Sequence, residues 1–182
     1  MSITLNENIF KKYKNNHSVF IETGTYKGGS VQLASDVGFQ KIYSIDISIK
    51  YKEELYDVYK KQIQQSTIEL LYGESYLILD KILTEINKPC LIWLDAHYDI
   101  HSDVRGKYEC PILQELEVIK KSNCKNHTIL IDDLRIFRRQ IEWGHDIHIE
   151  DIEKILLEIN PNYSFLYEDG WEKDDILVAM YA

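Results

Sequence analysis

Apolar and polar positions follow two periods along this chain, and the periods trade places from one end to the other. Short runs rich in Val, Ile, Leu, Tyr and Phe fall at about 18–23, 41–46, 67–72, 90–95, 127–132, 163–168 and 176–181, and β-branched and aromatic composition at that length predicts strands. Between them, near 28–37, 50–64, 74–87, 111–122 and 149–159, the apolar residues recur at helical spacing. Short strands separated by helix-length segments predict parallel βαβ units, and hence an α/β sheet with helices on both faces. The last two runs are separated only by Asp169-Gly170-Trp171-Glu172-Lys173-Asp174-Asp175. That is too short for a crossover helix and predicts an antiparallel hairpin. The expected sheet has seven strands, parallel except for the last.

Two segments, 96–110 and 133–148, follow neither period. Both leave the carboxyl ends of strands, where open α/β sheets place their ligands. Roughly 17 residues precede the first strand, enough for one short helix. No repeat or low-complexity linker divides the chain, so residues 1–182 read as a single domain.

Composition narrows the classes of function. Hydrophobic residues at 45% and charged residues at 28% are ordinary for a globular chain. The longest apolar runs are about six residues, far below a membrane span. Met1-Ser2-Ile3-Thr4-Leu5-Asn6-Glu7-Asn8 lacks the basic-then-apolar order of a signal peptide. Cys90, Cys110 and Cys124 are an odd number without metal-finger spacing, so a reducing, cytoplasmic setting is expected. A formal charge of −9 disfavours nucleic acid as a partner, because phosphate-rich surfaces require basic patches.

The chemistry starts at Val19-Phe20-Ile21-Glu22-Thr23-Gly24-Thr25-Tyr26-Lys27-Gly28-Gly29-Ser30, where a strand meets an acid, a glycine turn and a helix start. Such a turn lets the backbone approach a ligand beside the unpaired N–H groups of the helix. Asp46 closes the second strand near the roughly 20-residue spacing at which a carboxylate reaches a ribose hydroxyl. The glycine spacing is not that of a dinucleotide fingerprint, and Glu22 would repel a pyrophosphate. A cationic, phosphate-free nucleoside such as S-adenosylmethionine suits the site better. A strand–turn–helix joint needs no ligand, but an acid at each strand end favours the cofactor.

Glu22-x-Gly24-x-Tyr26-x-Gly28-x-Ser30 resembles motif I of the class I S-adenosylmethionine-dependent methyltransferases, whose sheet is Rossmann-like. It is most similar to the metal-dependent O-methyltransferases of the catechol and caffeoyl-CoA type and the bacterial sugar O-methyltransferases. The resemblance spans nearly the whole chain. It implies that Glu22, Gly24 and Ser30 serve the methionine end of the cofactor, that Thr25, Tyr26 and Gly28 also belong to the cofactor site, and that Asp46 binds the ribose. It also implies an adenine contact near Gly73-Glu74-Ser75, with Ser75 the candidate, although Ser75 or Glu74 could simply start a helix.

Strand four ends Leu94-Asp95-Ala96-His97-Tyr98-Asp99 and strand five ends Ile131-Asp132-Asp133, so two strands finish in carboxylates on one sheet edge. Carboxylates so close repel one another unless a cation lies between them, and hard oxygen ligands suit Mg²⁺ or Mn²⁺. By resemblance, Asp95, Asp132 and Asp133 are the metal ligands, with Asp95 also near the cofactor. His97 is the candidate general base for a hydroxyl whose pKa the metal lowers. Asp99 and His101 are weaker candidates beside it.

The expected activity is methylation of a hydroxyl on a sugar, a glycan or another small polar diol. Arg105, Arg135, Arg138 and Arg139 lie in the two aperiodic segments with Phe137, Trp143 and His145, a set that suits sugar or nucleotide-sugar recognition as well as a solvated surface. Two other readings remain. Asp95-Ala96-His97-Tyr98-Asp99 also resembles a metal-binding string of manganese ureohydrolases, but the further ligand clusters of those enzymes are missing. A non-catalytic S-adenosylmethionine-binding or assembly domain would need the cofactor loop but not the carboxylates or His97.

Overall fold

The computed structural model describes residues 5–99 and 104–181. A helix α1 (Glu7–Lys14) comes first. Asn6 caps it by accepting from the backbone N–H groups of Asn8 and Ile9, at 3.0 and 3.2 Å. There follow β1 (Val19–Thr23), α2 (Gly29–Asp36), β2 (Lys41–Asp46), α3 (Ile49–Val58), α4 (Lys60–Gln64), β3 (Ile68–Tyr72), α5 (Ser75–Glu85) and β4 (Leu91–Leu94). The second half holds α6 (Ile112–Lys121), β5 (Thr128–Ile131), α7 (Leu134–Arg139), a 3₁₀ turn at Glu142–Gly144, α8 (Ile149–Ile159), β6 (Tyr163–Glu168) and β7 (Ile176–Tyr181).

The seven strands form one sheet in the order β3-β2-β1-β4-β5-β7-β6. β1 to β5 pair in parallel, and β7 runs antiparallel to both β5 and β6. The expected hairpin is present, with β7 inserted between β5 and β6. Strand parity sorts the core into two layers. Ile21, Ile92, Leu94, Ile129, Ile131, Leu177 and Ala179 face Leu79, Leu116, Ile119, Ile152 and Leu156 on helices α5, α6 and α8. Phe20, Leu91, Trp93, Leu130 and Val178 face the opposite way, towards Phe10, Val31, Ala34 and Leu55 on α1, α2 and α3.

Two expectations about helices change. The helix expected over 50–64 breaks at Tyr59, whose ring is buried and whose hydroxyl donates to the Gly28 carbonyl oxygen at 3.2 Å. Segment 133–148 contains α7 and the 3₁₀ turn, each too short to show a period.

Register sets the functional edge. Thr23 pairs with both Ile45 and Leu94, and Leu94 pairs with Ile131. Glu22, Asp46, Asp95 and Asp132 therefore arrive together at the carboxyl end of the sheet.

Candidate active site

The glycine turn is fixed from beneath. Glu22 is fully buried; its carboxylate accepts from the Ser44 hydroxyl at 2.5 Å and from the Ser30 hydroxyl at the start of α2. Burial pushes its pKa up to about 7 against those two hydrogen bonds, with Asp46 adding to the rise. Thr25 joins the same network through Ser44 at 2.6 Å. Glu22 thus braces the loop from inside, with its oxygens turned to serines.

Above it the backbone takes positive φ at Gly24 (+87°), Tyr26 (+45°) and Gly28 (+73°). A Cβ on Gly24 would stand 2.5 Å from the Asp95 carbonyl oxygen, so only glycine lets β1 and β4 close at this point. Asp46 fastens the turn from the side. Its two oxygens accept from the backbone N–H groups of Tyr26 at 2.9 Å and Ser48 at 2.7 Å. Burial raises the Asp46 pKa, and these backbone bonds oppose the rise.

Two adjoining pockets open over this edge, enclosing about 490 and 770 Å³ of open space with the solvent at their mouths included. Gly24, Asp46, Ile47, His97 and Val104 border both. The first also touches Gly73, Glu74 and Ser75, and the second Tyr26, Tyr51, Asp95 and Asp99. Residues 104–110 form a wall of the first. Lys107 N–H donates to the Glu74 carboxylate at 2.8 Å, and Tyr98 N–H donates to the Glu109 carbonyl oxygen at 2.6 Å. The Ser75 hydroxyl is buried on this wall with no hydrogen-bond partner among the described residues. A carboxylate at the end of β2 beside the turn and a close glycine backbone fit an adenosine-bearing cofactor.

At the ends of β4 and β5 the carboxylates crowd. Burial, then Asp132, then Asp133, drive the Asp95 pKa well above the usual carboxylate range. Trp93 Nε1–H donates to Asp95 at 3.4 Å. Asp133 takes φ +64°, a left-handed conformation that aspartate tolerates, and starts α7. His97 Nε2 lies 3.3 Å from Asp133 Oδ2 and 3.8 Å from Asp95 Oδ1. The His97 ring stacks on Trp143 with 4.3 Å between centroids and 16° between planes.

Two groups of possible metal ligands have all their atoms within 4.8 Å among the described residues: Asp95–His97–Asp133 and Asp132–Asp133–Asp175. The expected trio of Asp95, Asp132 and Asp133 is therefore divided between them. The second group already holds a cation. Arg135 pairs with Asp133 and, at 2.5 Å, with the buried Asp175. In the first, one oxygen each of Asp95 and Asp133 converges beside the His97 ring nitrogen while Arg135 holds the other oxygen of Asp133, and such carboxylate oxygens suit a divalent ion.

The four arginines that suited either substrate recognition or a solvated surface all have protein partners, Arg135 on Asp133 and Asp175 as above. Arg105 meets Glu109 at 3.4 Å and stacks on Tyr98, Arg138 donates to the Asp174 carbonyl oxygen, and Arg139 pairs with Glu172. No lysine or arginine lines either pocket among the described residues. His101 lies outside the described residues. Sequence reasoning missed Glu115. It is buried on α6 with neither oxygen hydrogen-bonded among the described residues, and burial pushes its pKa up to about 7. A charged residue on the Ile112–Leu116–Ile119 stripe was the available signal.

No family model matches the sequence, and a search of the curated proteins finds no match. The structure finds many. An O-methyltransferase from Bacillus cereus in complex with SAH superposes with a TM-score of 0.67 at 15% identity, over 97% of this chain and 78% of that one. The SAH-bound methyltransferase PaMTH1 of Podospora anserina gives 0.65 at 15%, over 95% and 75%. The O-methyltransferase TomG of Streptomyces achromogenes, with SAM, gives 0.65 at 12%, over 97% and 77%. The chain has the class I methyltransferase fold. Both the expected seven-stranded topology and the resemblance to O-methyltransferases hold at this level. The ureohydrolase-like and non-catalytic readings gain nothing from the comparisons. No helix among the described residues is long and apolar enough to cross a membrane.

Proposed function

We propose that this chain is an S-adenosylmethionine-dependent O-methyltransferase, assisted by Mg²⁺ or Mn²⁺ and acting on a hydroxyl of a sugar, glycan or other small polar diol. The observation that carries the reading is the shared border of the two pockets. Gly24 and Asp46 border both at one end, and His97, beside Asp95 and Asp133, borders both at the other.

When bound, the cofactor supplies an electrophilic methyl group. A divalent cation, when bound, supplies positive charge that acidifies a hydroxyl and orients vicinal oxygens. Asp46 and the Gly24–Gly28 turn hold the ribose and methionine portions, and the wall at Gly73–Ser75 holds the base. Asp95, Asp132 and Asp133 hold the cation.

His97 takes the hydroxyl proton at Nε2. Its Nδ1 lies 3.1 Å from the Tyr98 carbonyl oxygen, an acceptor only, so Nδ1 carries a hydrogen, and a proton taken up at Nε2 meets the acceptor oxygens of Asp133 and Asp95. Once protonated, Nε2 faces the carboxylates of Asp133 and Asp95, which stabilise the imidazolium. Trp143 fixes the plane of the ring. Alignment and a positioned base are the main contributions such a protein makes to methyl transfer.

Pockets bare of lysine and arginine favour a neutral, hydroxyl-rich acceptor over a phosphorylated or nucleic-acid one. Exposed Tyr26 and its edge-on neighbour Tyr51, 5.2 Å apart at the second pocket, offer rings on which a sugar or aromatic diol can lie. Three free cysteines support a reducing, cytoplasmic setting. Calorimetry with S-adenosylmethionine tests the base of this reading: one site per chain is expected, and no binding by the wild type would reject it.

A further inference from the structure

Glu115 has no task in the chemistry above. It stands in the first turn of α6, 1% exposed, and neither carboxyl oxygen has a hydrogen-bond partner among the described residues. The Ser75 and Thr23 hydroxyls are close enough to oppose the rise in its pKa, but neither meets full hydrogen-bond geometry. A buried polar group left so is rare, and a water or an ion beside it would satisfy it. The same side chain lines a small pocket under the sheet edge with Asp95, His97, Cys110, Asp132 and Asp133. Its volume, about 10 Å³, is about the room one water needs. No lysine or arginine lines it among the described residues.

We propose that Glu115 is a further carboxylate of the cation site, supporting the ion of Asp95, Asp132 and Asp133 from beneath through one bound water. The inference rests on the metal-assisted reading. Arg135 offsets one negative charge of that site by pairing with Asp133. Glu115 lies on a buried wall, where the attraction between a carboxylate and a bound cation is weakly screened. It is a positioning residue, out of reach of the acceptor hydroxyl, and acts on the ion through water as carboxylates behind metal ligands do.

The test is Mn²⁺ binding by the full chain without cofactor or acceptor, followed by the loss of the free-ion paramagnetic signal and by calorimetry. Wild type is expected to bind one Mn²⁺, and Glu115→Gln to bind it about 10–100-fold more weakly. Glu115→Met, whose unbranched apolar chain suits the buried position, should be weakened at least as much and decides the matter if the glutamine variant fails to fold. S-adenosylmethionine affinity should be unchanged in both. If wild type and variants bind Mn²⁺ equally, Glu115 is only a buried acid, and the metal-assisted reading survives without it. If wild type binds no Mn²⁺, both fall together.

Discussion

His97 Nε2 stands 3.3 Å from Asp133 Oδ2, while the other oxygen of that carboxylate is held by Arg135. Arg135 is itself anchored to Asp175 at the start of β7, and the Arg135 backbone N–H donates to Asp175 at 2.8 Å. The strand that breaks the parallel order thus orients the carboxylate that faces the proposed base.

His97→Ala should lower kcat by about 10²–10⁴-fold with cofactor affinity nearly unchanged, because a positioned base is worth that much. His97→Asn should be similarly impaired. Arg135→Gln should act through Asp133 and lower kcat by about tenfold, the equivalent of one charge-assisted hydrogen bond. Steady-state kinetics beside cofactor titrations check all three. Wild-type kcat in either His97 variant, with chemistry rate-limiting, would pass the role of base to another group such as Asp99.

Asp46→Ala removes the acceptor for two loop amides as well as the proposed ribose contact. The loss should be at least about 1.5–3 kcal/mol of cofactor binding, read by calorimetry. Equal affinity in the variant would remove Asp46 from the cofactor site.

Glu22 gives a pH dependence with a definite sign. Its pKa is about 7 when folded against an ordinary value of 4.5, so between those values the folded chain keeps a proton that the unfolded chain has lost. The stability this contributes is full below about pH 4.5, falls as pH rises and is gone above about 7, a change of about 3 kcal/mol at most. Glu22→Gln removes the titration, so its Tm relative to wild type should rise between pH 5 and 8. The half-buried His17 and the buried His127 titrate in both proteins and cancel in the comparison. A Tm difference that stays flat across that range would contradict the assignment.

Gly24→Ala should both destabilise the chain and abolish cofactor binding. The added methyl would meet the Asp95 carbonyl oxygen at 2.5 Å, backbone that cannot yield without parting β1 from β4. Thermal unfolding and calorimetry on the same sample check this, and a variant that keeps wild-type Tm would contradict it.

Period and turn chemistry are local, and what depends on them was legible in the sequence. The strands at 41–46, 163–168 and 176–181 stand at their expected bounds, and Asp46 closes β2 beside the glycine turn, where it accepts from the Tyr26 N–H. What escaped depends on distant partners. Nothing near Tyr59 announces that its hydroxyl will reach Gly28 and interrupt a helix. Arg135 and Asp175 are forty residues apart, and only the pairing of β5 with β7 joins them. Glu22 was legible as an acid beside a glycine turn, but its burial against Ser30 and Ser44 needed the register of β1 on β2. Glu115 hid in an apolar stripe that otherwise read as core.

The central claim is methyl transfer from S-adenosylmethionine to a hydroxyl. The most direct measurement is incubation of the protein and Mn²⁺ with methyl-labelled S-adenosylmethionine and a panel of sugars, glycans, catechols and nucleotide sugars, with RNA and protein as further acceptors. Label is expected on a hydroxyl of a neutral sugar, glycan or small diol, with S-adenosylhomocysteine released in equal amount and the transfer lost on chelation or in His97→Ala. Label appearing on nucleic acid or protein alone, or transfer that persists in full without metal, would contradict the account.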